Sequence, residues 1–177
     1  MTRREWVLTA AVAAVAGAAG FGYNIWRVSG DDDDRQALRA LQATELPGAD
    51  GAPQALRQWQ GKLLVVNFWA TWCAPCREEI PVFIRMQERY GARGLQFVGI
   101  AIDEPVRVRL YAKELGINFP LLIAGTGGIE LARLMGNRAG VLPFSLIVAP
   151  SGKVADRHAG AYKEERLEAL VKPLLPA

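Results

Sequence analysis

The chain has only two cysteines, Cys73 and Cys76, and they stand where a short apolar run gives way to a helical pattern. From Lys62 to Trp69 the residues are nearly all apolar and rich in Val, Phe and Trp. Such a run is too short for an ordinary helix and suits a buried central strand. From Ala74 onward Ile80, Phe83, Ile84 and Gln87 recur at three- and four-residue spacing with charged residues between them, which predicts a helix. The pair therefore occupies a strand-to-helix junction.

That position has chemical meaning. The free amide groups and the dipole at a helix N-terminus favour negative charge, so a cysteine there is more readily the thiolate that attacks disulfides. Cys73 is the candidate nucleophile, and Cys76, three residues on, comes round to the same side of the helix within reach of it. Pro75 falls in the first turn, where its missing N–H breaks no bond. Pro81 lies deeper and predicts a kink, because the bond back to Arg77 cannot form. A Cys-x-x-Cys pair also serves zinc sites and structural disulfides. Zinc takes about four ligands, and the chain adds only His158, far along the sequence. A structural disulfide over so short a loop constrains little of the unfolded chain. Redox chemistry is the better reading of the spacing.

The run WCAPC after KLLVVNFWAT and before REEIP resembles the thioredoxin superfamily and, within it, the membrane-anchored TlpA/ResA-like thiol:disulfide oxidoreductases of the bacterial envelope. The likeness extends to GVLPFSLIVAPSG, Gly140 to Gly152, which matches that family's cis-proline loop, next strand and hairpin turn. It covers roughly Leu46 to the C-terminus and implies an α/β thioredoxin-like fold, a mixed central sheet flanked by helices.

The remaining pattern fits that order. Leu95 to Ile102 reads as a second buried strand, Glu104 to Leu115 as a helix, Phe119 to Ala124 as a short strand or extended piece, and Gly127 to Met135 as a short helix. Phe144 to Ala149 and Val154 to Ala159 flank the turn Pro150-Ser151-Gly152-Lys153, and Lys163 to Leu174 places Leu167, Leu170, Val171 and Leu174 on one helical face. Alternating strands and helices argue for a sheet with parallel members, covered on both faces. Ahead of the first strand, Glu45 to Gly61 carries turn residues and then ALRQWQ as a single helical turn.

Four further positions bear on chemistry. Pro143 precedes a strand, where local sequence allows a trans strand-entry proline as readily as a cis one. The resemblance implies the cis-proline facing the active site, with the Leu142 backbone free to pair with a substrate segment. Glu79, three residues after Cys76, falls beside that cysteine's face, while Arg77 and Glu78 point to solvent. A partly buried carboxyl there can take the resolving thiol's proton and return it, although helix solubility or a salt bridge is the plainer role. Asn67 stands where many thioredoxins carry a buried aspartate, and Glu79 matches the glutamate that TlpA/ResA-like members place before Ile-Pro or Met-Pro. Trp69 is expected in the core, and Trp72 on the surface around the active site, offering apolar area to a partner. His158, Arg85 and Arg89 read as packing or solvated positions.

At the N-terminus Thr2, Arg3 and Arg4 precede an uncharged stretch from Trp6 to Trp26. As a helix it would span about 31 Å, close to the ~30 Å hydrocarbon core of a bilayer. The stretch is rich in Ala and Gly, so a cleaved signal competes: TRREWVL resembles a twin-arginine export signal, and Ala16-Gly17-Ala18 offers a cleavage site. An uncleaved anchor over 1–28 is favoured, followed by an acidic linker and a short helix over 29–44 and the thioredoxin-like domain over 45–177. The short helix is placed at Arg35 to Ala43, after the aspartates Asp31 to Asp34. The positive-inside rule puts everything from Asp31 outside the cytoplasm. The net charge of +3 comes largely from scattered arginines, which gives nucleic-acid binding little support.

The expected activity is reduction of partner disulfides through Cys73 and Cys76, without a cofactor. The resemblance implies disulfide-bearing envelope partners, apocytochrome c or copper-site proteins among them, and a membrane thiol donor of the DsbD type. Two other classes stay open. A thiol peroxidase would carry Pro and Thr where Val66 and Ala70 stand, and a Sco-like copper module would take His158 as a third ligand.

Overall fold

A computed structural model describes residues 31–176. The anchor or export signal expected over 1–28 lies outside the described residues. The chain divides into two units, Met1–Arg35 and Gln36–Ala177. In the first, residues 31–35 are helical and Arg35 pairs with Asp32. The aspartates expected ahead of a helix are thus themselves helical, their mutual repulsion relieved by a cation one turn on.

The second unit opens with helical residues 36–43 (α1), whose Ala37 and Leu41 are buried. Glu45–Pro47 (β1) and Pro53–Ala55 (β2) then form a small antiparallel hairpin in the segment expected to carry turns. Strands of three residues each are too short to show an alternation. The helical turn expected from ALRQWQ is a 3₁₀ turn over Leu56–Trp59.

The main sheet is built from Leu63–Trp69 (β3), Leu95–Ala101 (β4), Leu121–Ile123 (β5), Phe144–Val148 (β6) and Val154–Ala159 (β7), in the order β5-β4-β3-β6-β7. β3 runs parallel to β4 and antiparallel to β6, so the sheet is mixed. Between the strands lie Ala74–Tyr90 (α2), Pro105–Leu115 (α3) and Gly128–Leu134 (α4), and Glu164–Val171 (α5) follows β7. This is the thioredoxin-like order implied by the cysteine motif.

Every residue of β3 is buried, because both sheet faces are covered. Leu63, Val65 and Trp69 join one core with Ile80, Phe83 and Met86 of α2, Val108 of α3 and Leu167 and Val171 of α5. Leu64, Val66 and Phe68 join a second core on the other face, with Ala37 and Leu41 of α1 and Ala132 of α4. The strand period of two sends successive side chains to different cores.

α2 continues through Pro81 as one helix, so the proline removes a hydrogen bond without ending the element. The buried face of Ile80, Phe83, Met86 and Tyr90 holds it against the sheet. Its far end is tied to α5: Arg85 donates to Glu164, Arg89 pairs with Glu164 and Glu168, and the Tyr90 hydroxyl donates to Glu168. Arg85 and Arg89 are exposed, as expected of a solvated face, and in addition pair with α5.

Candidate active site

Cys73 is the N-cap of α2, and its Sγ accepts the Cys76 N–H at 3.3 Å. The backbone enters from β3 in an extended conformation and turns into the helix with Pro75 in the first turn. That is the location where the N-terminal amides stabilise a thiolate. The two cysteines are joined in a disulfide, with Cα atoms 5.3 Å apart. Cys73 is 6% exposed and Cys76 fully buried, so Cys73 is the more accessible of the two. Trp72, beside it, is 64% exposed.

Two contacts fix the loop that carries Trp72. The Ile102 N–H donates to the Trp69 carbonyl at 2.8 Å. Asp103 accepts from both the backbone N–H and the hydroxyl of Thr71. Burial works against the Asp103 charge, but the donors of Thr71 and the Glu104 amide outweigh it and hold the carboxyl below its ordinary range. Trp69 packs in the core as expected, its ring 5.7 Å from that of Tyr111.

The Leu142–Pro143 peptide bond is cis, as the resemblance implies. Pro143 is buried and Leu142 half-buried. The Pro143 carbonyl accepts the Gly160 N–H at 2.8 Å, which ties this loop to the end of β7. On the other side Asn137, itself buried, brackets Val141: its Nδ2 donates to the Val141 carbonyl and its Oδ1 accepts the Val141 N–H.

Glu79 is 1% exposed, on the buried side of α2 three residues after Cys76, whereas Arg77 and Glu78 are exposed. Its Oε1 accepts from Asn67 Nδ2 at 2.7 Å and its Oε2 from the Tyr162 N–H at 3.1 Å. Asn67 Nδ2 also donates to Ser145 Oγ at 3.0 Å. Burial pushes Glu79 up to about 8, against the pull of the Tyr162 and Asn67 donors. A carboxyl in that range exchanges protons with a thiol near neutral pH. The salt bridge offered as its plainer role is not the arrangement found; its partners are an amide and a backbone N–H.

Tyr162 and Ser145 complete the site without a clear mark in the sequence. Ser145 carries a faint signal, a lone hydroxyl within the apolar run FSLIV, while the Tyr162 contact is made by backbone and leaves no trace in residue type. His158 is half-buried, its ring 4.3 Å from that of Tyr162 and its Nε2 3.4 Å from the Ala161 carbonyl. Among the described residues no group of three or more His, Cys, Asp or Glu is placed to hold a metal ion.

The AhpC/TSA family matches residues 21–157, well over half of the chain. The chain belongs to this family, as a TlpA/ResA-like member of the thioredoxin superfamily. This TlpA/ResA-like chain is 30% identical over 128 residues to the thiol-disulfide oxidoreductase ResA of Bacillus thuringiensis subsp. konkukian, covering 72% of each chain. With ResA of Halalkalibacterium halodurans it shares 26% identity over 178 residues, 98% of this chain and 97% of that one. Among solved structures, a thiol:disulfide interchange protein of the thioredoxin family from Chlorobium tepidum superposes with a TM-score of 0.66 at 33% identity, over 75% of this chain and 93% of that one. A secreted disulfide oxidoreductase of Mycobacterium tuberculosis, at 22% identity and a TM-score of 0.67 over 77% of this chain and 98% of that one, shares the fold. The TlpA/ResA-like chain is thus an oxidoreductase, and its close cysteine pair supports dithiol-disulfide exchange.

Proposed function

We propose that the protein is an exported reductase of partner-protein disulfides, held at the bacterial envelope by its N-terminal segment. The observation that carries this reading is the pairing of a cysteine at the helix cap, the more accessible of the two, with a fully buried cysteine followed one turn later by the buried Glu79. In the reduced protein the Cys73 thiolate attacks one sulfur of a partner disulfide. That S–S bond breaks, the other partner sulfur leaves as a thiolate, and a mixed disulfide forms. Cys76 then gives its proton to Glu79 and attacks Cys73 Sγ, releasing the second partner sulfur, which takes a proton in turn. Two electrons pass to the partner and the Cys73–Cys76 disulfide remains.

An oxidising envelope does not regenerate the dithiol, so a membrane-borne dithiol donor of the DsbD type must return the two electrons. Trp72 and the Leu142 backbone next to Pro143 form the contact surface for the partner segment. The names of the relatives, thiol-disulfide oxidoreductase and thiol:disulfide interchange protein, support the activity. Apocytochrome c and copper-site proteins are the partner classes that fit a reductase of this kind.

The test pairs trapping with redox equilibration of the full chain. Cys76→Ser should accumulate a mixed disulfide with a disulfide-bearing partner, and Cys73→Ser should form none. Equilibration against glutathione and dithiothreitol should give a potential below that of the glutathione pool. A potential near about −120 mV, the range of strong oxidants, would reverse the direction of electron flow and overturn the reductase assignment.

A further inference from the structure

Asn67 is a polar residue in the middle of the most buried strand, 2% exposed between Val66 and Phe68. Ser145, fully buried on β6, is its register partner, so the two side chains share a sheet face whose other members include Val65, Trp69 and Ile147. A buried amide and hydroxyl in such surroundings are costly unless bonded. Both protons of Asn67 Nδ2 are committed, one to Glu79 Oε1 at 2.7 Å and one to Ser145 Oγ at 3.0 Å.

With the Tyr162 N–H on Oε2, both carboxyl oxygens of Glu79 face donors, an arrangement that suits the carboxylate. Burial favours the neutral acid instead. A neutral carboxyl must itself donate, and it would then meet the hydrogens of its neighbours. The Tyr162 N–H belongs to the backbone and cannot reverse. The Asn67 amide can, because a half-turn of its plane replaces Nδ2 with Oδ1. The Ser145 hydroxyl can accept from the first orientation and donate to the second.

Resting on the assignment of proton transfer to Glu79, we propose that Asn67 and Ser145 are positioning residues that form a reversible hydrogen-bond adapter for its carboxyl. With Glu79 ionised, Asn67 donates to it and to Ser145. When Glu79 takes the Cys76 proton, Asn67 turns its oxygen to the new O–H and accepts from Ser145 as well. In each protonation state the Glu79 oxygen, the Asn67 atom that faces it and the Ser145 hydroxyl are then matched donor to acceptor.

The ionisable groups around Glu79 are few. α2 itself contributes Cys73 and Cys76, β3 and β6 contribute only the uncharged Asn67 and Ser145, and the segment after β7 contributes Tyr162. The Tyr162 hydroxyl is bonded to Asp156, its ring lies against His158, and Arg166 of α5 sits 5.7 Å above it.

The experiment is a pH titration of the oxidised full chain in detergent micelles, following the Asn67 side-chain amide and the Glu79 carboxyl carbon by NMR. Both signals should move through one midpoint, and Glu79→Gln should hold the amide still. In parallel, the rate at which Cys76 resolves a mixed disulfide is measured against pH. Asn67→Ala removes a donor to the carboxylate and should raise the midpoint of that profile by about one pH unit. Ser145→Thr should keep the wild-type amide titration, and Ser145→Ala should diminish its amplitude. An amide signal that stays constant while Glu79 titrates overturns the adapter, whether or not Asn67→Ala folds. A Glu79→Gln protein with an unchanged pH profile overturns instead the underlying assignment of proton transfer to Glu79.

Discussion

Glu79 is subject to two opposed demands, and their balance sets how the protein responds to pH. Burial favours its neutral form and lifts it to about 8, while two N–H donors keep the charged form accessible. The unfolded chain keeps the ordinary value of 4.5. Between those values the folded protein holds a proton that the unfolded chain has lost, so stability is full below about 4.5 and declines as pH rises through about 8. The whole decline is at most about 5 kcal/mol by the conversion of pKa shift to free energy. Glu79→Gln should flatten this slope in denaturant titrations of the oxidised protein between pH 5 and 9. A slope that persists in the variant would place the responsible group elsewhere.

Among the elements, α2 is the one whose two ends have separate duties. Its N-terminus presents Cys73, and its C-terminal half is held by α5 through both apolar and charged contacts. The apolar part dominates, because exposed ion pairs contribute little once screened. Leu167→Ala, at a fully buried position, should destabilise the domain by about 2–5 kcal/mol, whereas Arg89→Ala should leave the melting temperature nearly unchanged. Much at this scale was legible beforehand. The strand over Lys62 to Trp69 and the helix from Ala74 announce themselves by period, and the cysteines mark their junction. The pairing of Arg85 and Arg89 with α5 was not legible, since spacing tells which face a residue occupies and says nothing of what lies against it. The β1–β2 hairpin was hidden by its brevity. Tyr162, which reaches Glu79 through a backbone N–H across 83 positions, was hidden because any residue but proline could supply that donor.

For the whole domain, the central sheet separates two cores of different purpose. One contains the cysteines, and the other is built with α1 and α4 and contains neither cysteine. Leu41→Ala, in the second core, should cost about 2–5 kcal/mol in thermal or denaturant unfolding while leaving the reduction potential of the Cys73–Cys76 pair where it was. A shift in potential would mean that the sheet transmits packing changes between its faces. The pairing of Asn67 with Ser145 across β3 and β6 has a consequence for assembly of the sheet itself. β3 and β6 are apolar enough to pair in more than one alignment, and greasy side chains alone would penalise an error weakly. A slip of β6 by one residue would send Ser145 to the opposite face and leave one N–H of the Asn67 amide without its acceptor among hydrocarbon. The polar trio thus acts as a ruler for the chain, accepting a single alignment of two strands that lie far apart in sequence.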